Sequence, residues 1–375
     1  MPRQAVRRQL IRIALIAAAS FGVLSPAAGK GNAPPPLLAE TPTPIQIFGV
    51  WHCGNHYCDW QEDIDLIAFD KANRWLLERG GSGADSTRPA VNVVVLSFVH
   101  PLKLLQRSDS GELGMIPKGM SQQVVNYFKD AGIRVMLSIG GITYTDAWDA
   151  ALAMDPETLG KHAATIAQTL GVGIEIDYEN SSSPNIEALA KFISAYRSIL
   201  PYDATGGYHP ARLTIDVAAG DRWLIALNRH ATQNWLRPDN PVLDYANAMV
   251  SGTSSGTPTD WQEHVDGKPQ YAPPVLPLAP ARFTGALYLK GNIANCLNYG
   301  ASEQKADANY VQRVKPNAAL QLQMYTPGML GYMFWAAGTP SARRGYVPTT
   351  DCTGGMGVAA GTFNVPIPMP ALRQK

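Results

Sequence analysis

The run Ile174-Glu175-Ile176-Asp177-Tyr178-Glu179 places three acids at every second position, with apolar or aromatic residues between them. Side chains of a β-strand alternate between faces, so the three carboxyls must project to one side while Val172, Ile174 and Ile176 face the other. Stacked carboxylates repel one another and lose solvation, so such a strand is costly unless its acids hold protons or partners. An acid-bearing strand of this kind sets carboxyl pKa values for proton transfer.

The rest of the chain offers that strand a familiar setting. Short apolar runs recur at 45–51, 91–99, 133–139, 172–179, 213–218, 245–251, 283–289 and 331–336. Helical patterns lie between several of them, at 62–79, 121–131, 156–170, 185–199 and 302–314. Pro156 and Glu157 suit a helix start. The segment 252–280 is rich in Gly, Pro, Ser and Thr and reads as a long loop. Eight strands alternating with helices predict a parallel sheet closed into a (β/α)8 barrel, spanning residues 45–340 as one domain. Catalytic groups of such barrels collect at the C-terminal ends of the strands, where Glu179 falls as the expected last residue of its strand.

The ends of the chain read differently. Arg3, Arg7, Arg8 and Arg12 precede an apolar run from Ile13 to Leu24, followed by Ser25-Pro26-Ala27-Ala28. This is the pattern of a signal peptide over residues 1–28, and the apolar run is too short for a comfortable membrane span. Residues 29–44, with Pro34-Pro35-Pro36, form a proline-rich linker. Residues 341–375 form a C-terminal extension. The expected destination is secreted or periplasmic.

Of 31 basic residues, removing those four arginines leaves 27 against 30 acids. A mature chain near −3 has no basic excess for nucleic acid or anionic lipid, so neither is an expected partner, and a monomer is expected. Cys53, Cys58, Cys296 and Cys352 suit two disulfides in an oxidising compartment; of the three possible pairings, Cys53–Cys58 with Cys296–Cys352 is preferred. His52 and His56 beside the first two cysteines raise a metal site, but their spacing fits no standard zinc pattern, so no metal is expected. No cofactor is expected either.

Three motifs in order resemble glycoside hydrolase family 18, the chitinase-like barrels: Ser138-Ile139-Gly140-Gly141, Val172-Gly-Ile-Glu-Ile-Asp-Tyr-Glu179, and Gly331-Tyr332-Met333-Phe334-Trp335. No long insertion precedes the last, so the compact form without an extra α+β module is the nearer likeness. The resemblance implies an exported glycosidase acting on β-linked N-acetylglucosamine polymers, with chitin or chito-oligosaccharides first and a polysaccharide or glycan as partner. It implies Glu179 as general acid and Asp177 as the carboxylate orienting the substrate's own acetamido nucleophile, a substrate-assisted route. Glu175 stands where the family has an aspartate supporting that pair. Trp335 is implied as the floor under the sugar, where a flat apolar face stacks on the ring. Tyr178, Trp51, Met249 and Tyr288 complete the candidate substrate contacts.

The chain departs from the family pattern in two places. The motif's first aspartate is Val172 and its second is enlarged to Glu175. On the sixth strand, Met249-Val250-Ser251-Gly252 sets Ser251 and Gly252 where a tyrosine and an Asp/Asn are usual. That gap motivates a second reading, a non-catalytic or weakly active chitinase-like glycan-binding protein.

Overall fold

The computed structural model describes residues 46–54, 58–77, 91–218, 223–249, 263–288 and 330–337. Eight parallel strands close into a barrel in sequence order. They are β1 (Ile47–Cys53), β2 (Val93–Val99), β3 (Arg134–Gly140), β4 (Gly173–Asp177), β5 (Leu213–Val217), β6 (Ala246–Ala248), β7 (Phe283–Tyr288) and β8 (Gly331–Ala337). β8 returns to pair with β1, so no sheet edge is left open. The expected (β/α)8 architecture is the one observed.

The described helices are α1 (Leu66–Leu77), α2 (Pro101–Gln106), α3 (Gln122–Lys129), α4 (Thr145–Met154), α5 (Pro156–Leu170), α6 (Ile186–Ile199) and α7 (Ile225–His230). Three of these, α2, α4 and α7, were not expected from the sequence pattern. α5 starts as read: the Asp155 side chain accepts from the Thr158 amide, Pro156 opens the first turn, and Gly171 closes the helix in the left-handed region at φ 66°. The expected helix at 302–314 lies outside the described residues, as do residues 1–45, the 341–375 extension, Cys296 and Cys352. No described helix is long and apolar enough to cross a membrane.

Strand alternation divides the core in two. Residues such as Val94, Leu137, Ile174, Ile176, Ile215 and Val217 point outward and pack with the helices. Ile47, Val93, Val95, Met136, Tyr245, Ala286 and Met333 fill the barrel interior. At the N-terminal end of the barrel, the buried Asp244 carboxylate takes Arg212 at 2.6 Å, Arg197 at 3.1 Å and the Leu213 amide at 2.7 Å. A buried charge with this many donors is satisfied, which closes that end structurally and leaves the opposite end for chemistry.

Cys53 and Cys58 form a disulfide, tying the end of β1 to the loop that follows it. His52 faces the helices, with Nε2 2.7 Å from Asn73 Oδ1 and its ring beside Trp60 and Phe69. Burial pushes its pKa down to about 4, so it sits there neutral. Among the described residues, no group of three or more His, Cys, Asp or Glu side chains is placed to hold a metal ion.

Candidate active site

β4 delivers its acids to the barrel interior. Glu175 is wholly buried and pairs in register with Ser138 on β3 and Thr214 on β5. One layer further along lie Asp216 on β5, Asn247 on β6 and Thr284 on β7, again in register. Polar groups from five adjacent strands therefore line one side of the interior, facing the apolar residues of the others.

The Glu175 carboxylate is held from across the barrel. Trp51 Nε1 donates to Oε1 at 2.7 Å, and Asn247 Nδ2 donates to Oε2 at 2.7 Å. Asn247 in turn accepts from Thr284 Oγ1 at 2.5 Å, which fixes which way its amide points. Burial still raises the Glu175 pKa, with these donors opposing the rise. The extra methylene of Glu over Asp has a use here, since it carries the carboxylate out to partners on β1 and β6.

Asp177 occupies the last position of β4, opposite Gly140. It is 3% exposed. Burial raises its pKa well above the ordinary value, and the charges of Glu179 and Glu175 push it further. Gly140 is at φ +125°, and a Cβ there would overlap the Asp177 carbonyl and Trp148 Nε1. The glycine thus lets β3 and α4 close onto the main chain of Asp177.

Glu179 is not the last residue of its strand, as the sequence suggested; β4 ends two residues earlier. The strand's ladder stops at Asp177, and Glu179 stands in the following loop, partly exposed. Burial raises its pKa to about 7, against opposing hydrogen bonds from Asp177 and the Ile142 amide. The result is an acid that keeps its proton near neutrality, beside a second carboxyl that it can share it with.

Among the residues expected at substrate, the structure separates several. Trp335 on β8 is partly buried, with Phe98 stacked on it at 5.5 Å and 22° and Trp51 6.4 Å away. Trp51 itself is 3% exposed and serves Glu175 rather than presenting a free ring face. Tyr178 lies on the helix side: its ring meets Trp148, its hydroxyl donates to Asp149, and the Asn185 amide donates to that hydroxyl at 3.0 Å. The alternation that turns Asp177 inward turns Tyr178 outward, so a substrate contact is replaced by a packing role. Met249, just past β6, packs against the outer core. Tyr288 ends β7, in register with Trp335. Ser251 and Gly252 lie outside the described residues.

Asp216 escaped the sequence reading. It is 1% exposed, and burial raises its pKa well above the ordinary value, with the charges of Glu175 and Asp177 adding to the rise. The signal was present in Leu213-Thr-Ile-Asp-Val217, whose apolar residues alternate with Thr214 and Asp216, but a lone acid in a strand does not reveal its neighbours. Asn247 and Phe98 were missed for the same reason.

No family profile matches the chain, and no curated protein matches it in sequence. Among solved structures it is similar to a GH18 chitinase from Pseudoalteromonas aurantia, at 13% identity and TM-score 0.47, over 77% of this chain and 93% of that one. It is similar to a family GH18 chitinase from Chromobacterium violaceum at 14% identity and TM-score 0.41, over 84% and 82%. A GH30 endoxylanase from Clostridium papyrosolvens follows at 10% identity and TM-score 0.40, over 84% and 72%.

Proposed function

We propose that this protein is an exported glycoside hydrolase that cleaves β-linked N-acetylglucosamine polymers, chitin or chito-oligosaccharides first, by a substrate-assisted retaining mechanism. The observation that carries the reading is the pair at the end of β4: Glu179 with a pKa near 7, next to Asp177 in a buried setting. Glu179 supplies the proton to the glycosidic oxygen as the bond to the anomeric carbon breaks. The substrate's acetamido oxygen closes on that carbon from the opposite face, and Asp177 accepts from the acetamido N–H as positive charge develops. Water then opens the cyclic intermediate, giving its proton back to Glu179, which restores both the enzyme and the anomeric configuration.

The supporting groups fit these roles. Glu175, tied to Trp51 and Asn247, holds negative charge beneath Asp177 and so favours a proton or an N–H donor above it. The Trp335 and Phe98 rings supply an apolar surface near the end of β8 on which a pyranose ring can stack. Residues 1–28 act as the signal peptide in this reading and the barrel works outside the cytoplasm, where the Cys53–Cys58 bond persists.

The test is Glu179→Gln assayed on a chromogenic chito-oligosaccharide, with circular dichroism to confirm an unchanged fold. Turnover is expected to fall by at least about a hundredfold, the scale of a lost general acid. Hydrolysis at the wild-type rate would overturn the assignment.

A further inference from the structure

The run that carries Glu179 is held from a single stretch of chain. The Gly141 amide donates to the Asp177 carbonyl at 3.0 Å, and Trp148 Nε1 donates to the same oxygen at 3.1 Å. The Ile142 amide favours the charged form of the Glu179 carboxyl. On either side of Glu179, the Tyr178 hydroxyl donates to Asp149 Oδ1, and Asn180 Nδ2 donates to Asp149 at 3.2 Å and 2.9 Å. Residues i−1 and i+1 of the acid therefore end on the same carboxylate of α4. Asn180 Oδ1 meanwhile accepts from the Ser182 and Ser183 amides at 3.1 Å and 2.9 Å, which folds the rest of the loop back on itself.

Such a clamp answers a mechanical need. Two residues beyond the ladder of β4, nothing in the sheet fixes the backbone of Glu179. A carboxylate accepts only and has lone pairs for several donors, so Asp149 can take the Tyr178 and Asn180 hydrogen bonds at once. An amide in its place has a single acceptor oxygen. Hydrogen bonds to a charged acceptor are also the shorter and stronger kind.

We propose that Asp149 is the positioning residue of Glu179, gripping both of its neighbours so that the acid is held over Asp177. The inference deepens the reading of Glu179 as proton donor and rests on it. The groups facing the Glu179 carboxyl are Asp177 from β4, with Glu175 behind it, and the Ile142 amide from the loop after β3. A loosened loop admits water to that carboxyl and draws it away from Asp177. Its titration midpoint then falls from about 7 toward that of an ordinary glutamate.

The experiment follows the Glu179 carboxyl by carbon-13 NMR of glutamate-labelled protein, its signal assigned by comparison with Glu179→Gln, alongside steady-state kinetics on chito-oligosaccharides. Asp149→Asn removes the charge and one acceptor. The double variant Tyr178→Phe with Asn180→Ala keeps the charge and removes both grips. Both are expected to lower the midpoint by half a unit or more, on the order of the shifts neighbours impose. Both are also expected to lower kcat about 10- to 100-fold with KM unchanged, as misplacement by about an ångström does. A midpoint that moves in Asp149→Asn alone assigns the effect to charge and overturns the clamp, as does no movement in either. If the wild type turns over no glycan, the proposed function falls, while the NMR titration still decides whether Asp149 positions Glu179.

Discussion

Trp51 on the first strand and Glu175 on the fourth meet across the barrel interior, the indole N–H donating to Oε1 at 2.7 Å. Two strands, β2 and β3, lie between theirs on the shorter path around the closed sheet. An indole nitrogen can only donate, and the Asn247 amide nitrogen on the other oxygen can only donate as well. Both oxygens of Glu175 are thus met by groups that favour its charged form, in a site whose burial disfavours it.

Replacing Trp51 by Phe keeps most of the ring volume and deletes the donor. The folded-state pKa of Glu175 is already raised, so its contribution to stability is complete below the unfolded value of about 4.5 and lost as pH rises through the folded one. Loss of the indole raises that folded pKa further. We therefore expect Trp51→Phe to cost about 1–3 kcal/mol at pH 7 and distinctly less at pH 4. Urea denaturation at the two pH values measures it, and an equal cost at both would contradict the role given to Trp51.

Glu179 makes a second pH prediction, in activity and stability together. Its folded pKa of about 7 lies above the unfolded value of about 4.5, so its stabilising contribution is present below 4.5 and lost through pH 7. Relative to Glu179→Gln, which does not titrate, the wild type should lose up to about 3 kcal/mol of stability between pH 4.5 and 8. Activity should fall along an alkaline limb near pH 7 as the same proton leaves. Denaturation curves for both proteins, with a pH–rate profile for the wild type, check the two statements separately.

The barrel and its acidic strand were legible because alternation is a local signal: apolar Ile174 and Ile176 alternating with Glu175 and Asp177 fix both the strand and its two faces. Tyr178 was expected among the substrate contacts, but the same alternation turns it outward onto Trp148 and Asp149. α4 escaped because its buried face is narrow, resting on Trp148, Ala151 and Leu152. α2 and α7 have six residues each, too few for a helical period to emerge. What could not be read locally was partnership. Which of eight tryptophans reaches Glu175, or that Asp216 and Asn247 face it, depends on how distant strands close into one ring.

Asp216 allows a test of that closure. Burial, with Glu175 and Asp177 beside it, holds its pKa well above normal, so folding favours its protonated, neutral form. Asn resembles that neutral form in shape and hydrogen-bonding capacity. Asp216→Asn should therefore cost less than about 1 kcal/mol at pH 7, and should gain on the wild type as pH rises, because the raised group loses its contribution on that side. Asp216→Leu, which offers no polar atom to Glu175 or Asn247, should cost about 2–3 kcal/mol more than Asn. Chemical denaturation of both across pH 5–9 distinguishes them. A large loss in the Asn variant at neutral pH would mean that Asp216 works as a carboxylate.

Gly140 and Gly132 form a matched pair for asking whether the end of β3 is built around Asp177. Both have positive φ, +125° and +80°, and so both strain any side chain placed there. They differ in what a Cβ would meet: at Gly132 nothing lies within 4 Å, while at Gly140 it would overlap the Asp177 carbonyl and Trp148 Nε1. Gly132→Ala should therefore cost about 1–2 kcal/mol from backbone strain alone. Gly140→Ala should exceed that by at least about 2 kcal/mol, since backbone cannot yield as a flexible side chain does. It should also displace Asp177, so any catalytic turnover should be lost in Gly140→Ala and kept in Gly132→Ala. Denaturation midpoints and rates for the two alanine variants provide the comparison, and equal costs would remove the close approach of β3 to Asp177 as a constraint on the site.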